Sequence, residues 1–160
     1  MSESKKPPWF FKRMFLMAKR ILLVDDESAV LFAYKKVLQR QELIVDASGT
    51  KEETLELLKK YRYDVAILDL RLGGENCEEG FELISHIKNK SPETSIIMIT
   101  AFGNQEIREQ AFSLGADNYF EKPVSTHIIR EALQKAGIQI PENDSANGRL
   151  KISASNLPAD

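Results

Sequence analysis

Ile21-Leu22-Leu23-Val24-Asp25-Asp26 is a run of four apolar residues that stops at two carboxylates. Four consecutive apolar side chains cannot alternate between core and solvent, so a strand made of them has to be covered on both faces, as in a parallel sheet. Outward from this stretch the same pattern repeats. Leu43-Ile44-Val45 reads as a second strand, and Val65-Ala66-Ile67-Leu68 as a third that ends at Asp69. Ile96-Ile97-Met98-Ile99 is a fourth, ending at Thr100, and Asn118-Tyr119-Phe120 a fifth, ending in Glu121-Lys122-Pro123. Helical patterns separate the strands. Val30, Leu31, Tyr34, Val37 and Leu38 recur at helical spacing, and Thr50-Lys51-Glu52-Glu53 is a capping box that opens a helix through Leu55, Leu57 and Leu58. Phe81, Leu83, Ile84 and Ile87 mark a third helix. A fourth carries Ile107, Ala111 and Leu114 and stops at Gly115, a suitable C-terminal cap, and a last runs from Ile128 through Leu133. Five strands alternating with five helices predict an α/β fold with a doubly covered parallel sheet.

The chain has 160 residues, 42% hydrophobic and 29% charged, which suits one compact domain with some terminal excess. The reading divides it into a basic, aromatic extension (1–19), a domain (20–137) and a flexible tail (138–160) rich in Pro, Asn, Ser and Asp. Residues 1–20 hold six Lys/Arg against one acid, a charge of +5, which leaves the remainder with 16 basic against 23 acidic, or −7. An acidic body argues against nucleic acid as a direct partner, because phosphate binding needs a basic face. The single cysteine, Cys77, excludes an internal disulfide and fits a reducing cytoplasm. His86 and His127 lie in helical segments and read as surface residues, which argues against a multi-histidine metal site. No segment reaches the ~18 consecutive apolar residues of a membrane-spanning helix. The segment Trp9-Phe10-Phe11-Lys12-Arg13-Met14-Phe15-Leu16-Met17 resembles a weak signal-peptide core, but Lys12 and Arg13 interrupt it and no small-residue cleavage site follows. Contact of residues 9–17 with a membrane or partner is a minor alternative.

Chemistry comes from where the strands stop. Asp25, Asp26, Asp69, Thr100 and Lys122 all stand at carboxyl ends of strands, and in an open parallel sheet that edge is the crevice where ligands bind. Three carboxylates in one crevice repel one another, so a positive group is required; the candidates are Lys122 and a divalent cation. With only oxygen ligands on offer, Mg²⁺ is favoured, with Mn²⁺ able to stand in. A carboxylate beside such a cation, a lysine and a threonine hydroxyl has the parts for phosphoryl transfer to the carboxylate, giving an aspartyl phosphate.

Residues 20–136 resemble the receiver domain of two-component response regulators. The segments that carry the resemblance are Ile-Leu-Leu-Val-Asp-Asp-Glu (21–27), Asp-Val-Ala-Ile-Leu-Asp-Leu-Arg-Leu (64–72), Ile-Ile-Met-Ile-Thr-Ala-Phe-Gly (96–103) and Leu-Gly-Ala-Asp-Asn-Tyr-Phe-Glu-Lys-Pro (114–123). The resemblance implies a flavodoxin-like sheet with strand order 2-1-3-4-5. It implies Asp69 as phosphoacceptor, Asp26 as a direct Mg²⁺ ligand, Asp25 as an acid acting through water, and the backbone carbonyl of Arg71 as a further ligand. It also implies that Thr100 and Lys122 hold phosphoryl oxygens, that Tyr119 is a switch aromatic coupled to Thr100, and that the bond before Pro123 is cis. A histidine kinase or phosphotransfer protein would be the donor, with no enzymatic activity beyond self-phosphorylation from a phosphodonor and slow autodephosphorylation. The loop Gly73-Gly74-Glu75-Asn76-Cys77-Glu78-Glu79-Gly80 departs from the family, being longer and more acidic.

Taken singly, these residues have ordinary readings. Asp25-Asp26 can be a helix N-cap, Asp69 and Thr100 turn residues, Lys122 a solvated lysine, Tyr119 a packing aromatic, and Gly73-Gly74 plain turn chemistry. Their joint position at strand ends favours the functional reading. An aspartate-nucleophile phosphatase is disfavoured, because the acid it needs two residues after the nucleophile is here Arg71. A degenerate receiver that acts only as an interaction module is the other alternative. No helix-turn-helix, ATPase or cyclase domain fits in residues 138–160, so the chain reads as a stand-alone receiver whose output is a protein contact.

Overall fold

The computed structural model describes residues 7–8, 18–38, 42–73 and 78–140. The aromatic segment 9–17, residues 74–77 of the long loop with Cys77, and tail residues 141–160 lie outside the described residues. In chain order the elements are β1 (Lys19–Val24), α1 (Ser28–Leu38), β2 (Leu43–Ser48), α2 (Lys51–Lys60), β3 (Val65–Leu68), α3 (Glu78–Lys90), β4 (Ser95–Thr100), α4 (Gln105–Leu114), β5 (Asn118–Glu121) and α5 (Thr126–Lys135). The five strands form one sheet in the order β2-β1-β3-β4-β5, every pair parallel. This is the doubly wound, flavodoxin-like order.

Each strand points its residues alternately to two cores. Ile21 and Leu23 of β1 join Tyr34 and Leu38 of α1 and Ile129 and Leu133 of α5 on one face. Leu22 and Val24 join Leu58 of α2, Leu83, Ile84 and Ile87 of α3 and Ala111 of α4 on the other. Both parities of β1 are therefore buried, which is why its sequence is apolar without alternation. Each fully buried Leu or Ile contributes on the order of 1.5–3 kcal/mol relative to exposure.

Helix ends follow local chemistry. The Thr50 hydroxyl accepts from the Glu53 amide (3.2 Å), while the Glu53 carboxylate reaches past Thr50 to the Gly49 amide (3.1 Å), a capping box displaced by one residue at its return bond. Gly115 closes α4 in the left-handed region (φ 113°), where glycine has no Cβ to clash. The structured chain also runs past Gly137, the boundary expected from composition. Ile138 and Ile140 are buried in the core beneath α1 and α5, because two isoleucines two residues apart place both side chains on the same side of an extended segment. No helix among the described residues is long and apolar enough to cross a membrane.

Candidate functional site

Strand register brings the acids together. Val24 is the Cα partner of Leu68, so Asp25 and Asp69 leave adjacent strands at the same level, and the Asp69 amide donates to the Val24 carbonyl (2.8 Å). Both carboxylates are buried, whereas Asp26 faces solvent. Asp25, Asp26 and Asp69 each offer an oxygen within 4.8 Å of the others. Thr100 lies two residues past Met98, the partner of Leu68, and is fully buried, with its hydroxyl accepting from the Phe102 amide (3.2 Å). Thr100 in turn pairs with Glu121, so that Lys122 starts where β5 ends, its amide donating to the Thr100 carbonyl (2.8 Å). The Lys122–Pro123 bond is cis.

The side chain of Lys122 crosses the top of β4 and β3 to reach the acids. Its Nζ donates to Asp25 Oδ2 (2.7 Å) and Asp69 Oδ2 (2.8 Å). The opposite oxygens are held by backbone amides: Glu27 N donates to Asp25 Oδ1 (2.9 Å) and Arg71 N to Asp69 Oδ1 (3.3 Å). Burial is the largest influence on both Asp25 and Lys122 and opposes the charge of each. For Asp25 burial wins: its pKa stands above the usual carboxylate value, although Lys122 and the Glu27 amide pull it down, and Asp69 adds to the rise. For Lys122 burial loses: hydrogen bonds and charge from Asp25 and Asp69 raise it above an ordinary lysine. The ammonium is thus locked in its charged form between two carboxylates.

Three neighbours complete the pocket that the sequence did not single out for it. Glu27 brings a further carboxylate oxygen 3.7 Å from Lys122 Nζ, and its place directly after Asp25-Asp26 was the available signal. Tyr34 is buried beneath; burial above all raises its pKa to about 12, with opposing influences from Lys122 and from Asp25 and Asp69. Phe102 lies under the Arg71 guanidinium (3.7 Å to the ring centroid), joining the loops that follow β3 and β4. The Arg71 side chain therefore stacks on an aromatic face, and its Nε has no hydrogen-bond partner among the described residues. Tyr119 is buried, with Phe112 6.5 Å away between centroids. Gly103 makes its position possible: a Cβ there would stand 2.5 Å from the Tyr119 hydroxyl. His127 and His86 are exposed, away from this pocket.

An all-oxygen set of three carboxylates fits a hard divalent cation, which usually takes one or two carboxylates and keeps several waters. One lysine offsets only a third of the charge of the three carboxylates, and the remainder matches a cation of charge two.

A doubly wound parallel sheet with this acid-and-lysine pocket at its carboxyl edge is the framework of a signalling switch. The model of the response regulator receiver domain family matches residues 21–134, and the chain belongs to that family. Among curated relatives, the chemotaxis protein CheY of Halobacterium salinarum is 31% identical over 117 residues, covering 73% of this chain and 95% of that protein. The alginate biosynthesis transcriptional regulatory protein AlgB of Pseudomonas putida is 32% identical over 116 residues, 72% of this chain but only 25% of AlgB. The chain thus spans about a quarter of the length of AlgB. Among solved structures, a response regulator from Burkholderia pseudomallei with a phosphorylated aspartic acid, a calcium ion and citrate superposes with a TM-score of 0.66 at 29% identity, covering 74% of this chain and 69% of that one. Receiver domains are switches phosphorylated by histidine kinases or phosphotransfer proteins, and they bind Mg²⁺ through an acidic pocket.

Proposed function

We propose that Asp69 accepts a phosphoryl group from a histidine kinase or phosphotransfer protein, and that the product changes the surface through which the chain binds a partner protein. The observation that carries this reading is the Lys122 ammonium within hydrogen-bond distance of both Asp25 and Asp69, each buried. An Asp69 oxygen attacks phosphorus, the bond from phosphorus to the donor breaks, and the donor leaves with the electron pair. Lys122 stands ready to neutralise a phosphoryl oxygen in place of an Asp69 oxygen, and the Thr100 hydroxyl, which accepts from the Phe102 amide, keeps its own proton to donate. Asp25, Asp26, Asp69 and the Arg71 carbonyl would hold Mg²⁺, which supplies charge neutralisation for the transferred group. Tyr119, buried against the loop that Thr100 begins and beside Phe112 of α4, is suited to report the hydroxyl's movement at the surface of β5 and α4. The phosphorylated aspartic acid of the Burkholderia pseudomallei protein supports the chemistry by analogy. Residues 20–137, extended by Ile138 and Ile140, would form the switching unit, flanked by 1–19 and 141–160.

Acetyl phosphate with Mg²⁺ tests the assignment by intact-mass spectrometry. The expected result is a gain of about 80 Da, one phosphoryl unit, in the wild type and none in Asp69→Ala. A gain that survives in Asp69→Ala would refute the acceptor assignment. A wild type unmodified by acetyl phosphate and by a panel of histidine kinases would instead mark a phosphorylation-independent interaction module.

A further inference from the structure

Lys122 binds one oxygen of Asp25 and one of Asp69, and the Glu27 and Arg71 amides bind the other oxygen of each. What lies beneath the two acids follows from strand parity. Leu23 and Ile67 point into the core that α1 and α5 cover. Asp25 and Asp69 stand two residues further along the same strands, so their side chains leave on that same face. Thr100 shares the parity of Met98, which belongs to the opposite core together with Tyr119. The threonine hydroxyl therefore works on the other side of the sheet.

Among the described buried members of the α1–α5 core, Tyr34 alone carries a polar side-chain atom. Helix α1 descends from the carboxyl edge, and Tyr34 comes six residues after Ser28, about 9 Å down the helix. A long side chain on a helix leans back toward the amino end, so this ring climbs again toward the acids. Asp25, Asp69 and Tyr34 line a small cavity with Leu23, Ile67 and Ile99 among its apolar walls. About 10 Å³ is free there for the centre of a water molecule, room for one. Tyr34 is 5% exposed, and a buried tyrosine hydroxyl needs a hydrogen-bond partner. Burial above all raises its pKa to about 12, so at neutral pH the phenol keeps its proton to donate.

We propose that this cavity is a water site and that Tyr34 is a positioning residue for the phosphoacceptor. The Tyr34 hydroxyl donates to the water, and the water donates one proton to Asp25 and one to Asp69. That makes three hydrogen bonds, about the usual number for a buried water. A water serves the pair better than the hydroxyl alone, which has one proton for two carboxylates. It steadies Asp69 from beneath, on the side away from the pocket mouth, so that an oxygen stays turned toward incoming phosphorus. The inference rests on Asp69 being the acceptor, as proposed above.

A crystal structure of the metal-free wild type that resolves ordered waters is the first test. One water is expected within hydrogen-bond distance of Tyr34 Oη and of both carboxylates, and none at that place in Tyr34→Phe. Kinetics is the second, with acetyl phosphate and saturating Mg²⁺ followed by intact-mass spectrometry. Tyr34→Phe should lower the maximal rate of phosphorylation by roughly five- to tenfold, the size of one lost hydrogen bond, with the half-saturating donor concentration unchanged. Tyr34→Leu should be slowed as much. A cavity that is dry in the wild type overturns the proposal, and that density decides the water site even if the variants fail to fold. A Tyr34→Phe rate within about twofold of wild type beside a slow Tyr34→Leu would mark packing alone and also overturn it. So would a slowing that lies wholly in the half-saturating concentration, which marks donor binding. Failure of the acceptor assignment would show separately, as a mass gain that survives in Asp69→Ala.

Discussion

Replacing Lys122 by Met keeps the bulk of the side chain and removes the one cation, among the described residues, within hydrogen-bond distance of both Asp25 and Asp69. The three side chains are 13%, 8% and 6% exposed, so the carboxylates left behind are close to fully desolvated. Breaking a buried ion pair by deleting one partner typically costs about 3–5 kcal/mol. Here protonation offers relief, because burial already holds the Asp25 pKa above 3.8 and Lys122 is what pulls it down. The metal-free variant should therefore lose roughly 2–4 kcal/mol at pH 8, below the full penalty. For a domain of this size that is a fall in Tm of about 5–15 °C. The pH dependence follows from the direction of the shift. A carboxyl with a raised folded pKa binds its proton more tightly when folded, so its stabilisation is complete below the unfolded value and is lost as pH rises through the folded one. In the variant that folded value rises further, so the deficit should shrink steadily from pH 8 to pH 5, by up to ~1.4 kcal/mol per pH unit. Mg²⁺ replaces the missing charge: at about ten times its Kd it should return ~1.4 kcal/mol. Thermal melts of wild type and variant at pH 5, 6, 7 and 8, in EDTA and in Mg²⁺, measure all of this. A deficit that stays constant across the pH range, or a Tm within ~2 °C of wild type throughout, would refute the electrostatic reasoning.

Asp26→Ala should work in opposite directions on the two states of the site: relief of repulsion stabilises the metal-free protein by about 0.5–1 kcal/mol, while Mg²⁺ affinity drops at least tenfold. Melts in EDTA and a Mg²⁺ titration separate the two, and an unchanged affinity would remove Asp26 from the ligand set. Gly80→Ala puts a Cβ 2.6 Å from the backbone of Leu70, next to Asp69, and backbone cannot step aside as a side-chain tip can. It should cost roughly 2–3 kcal/mol, a Tm lower by about 4–12 °C, and a Tm within 2 °C of wild type would contradict the packing. Tyr34, with its pKa raised from 10.0 to about 12, favours the neutral phenol in the fold, so its stabilisation is present below pH 10 and is lost between 10 and 12. Tyr34→Phe should flatten the fall in denaturation midpoint over that window, by a total on the order of 2–3 kcal/mol; parallel wild-type and variant curves would argue against it.

Much of the fold was legible because both faces of the sheet are covered. An apolar run that ends at a charge marks a strand and its carboxyl end at once, as Ile21–Asp25 and Val65–Asp69 do. Helical periodicity also discriminated within segments: Phe32 falls outside the spacing of Val30, Tyr34 and Leu38, and it is 71% exposed. Composition misled at the end of the domain. Pro, Asn, Ser and Asp dominate residues 138–160, and that average hid Ile138 and Ile140, whose burial with residues of α1 and α5 is a tertiary contact that no local pattern announces.

The site divides along the same line. Which residues meet was readable, because parallel strands in register must bring their last residues to one edge. How they meet was not, because that depends on side-chain reach across strands. Lys122 passes over β4 and β3 to bind both acids, and this changes its role. A lysine merely near the crevice would add a general positive potential. One hydrogen-bonded to Asp25 and Asp69 together ties β1, β3 and β5, so any change in charge on Asp69 alters a bond that also ends on Asp25. Phosphorylation of Asp69 would replace a carboxylate oxygen in that bond with a more highly charged group, while Thr100, fully buried on the strand between, has a hydroxyl proton to donate. The strand ends are therefore coupled before any phosphoryl group arrives, and Lys122 is the atom-level link through which a modification on β3 would be felt on β5, where Tyr119 is buried against Gly103.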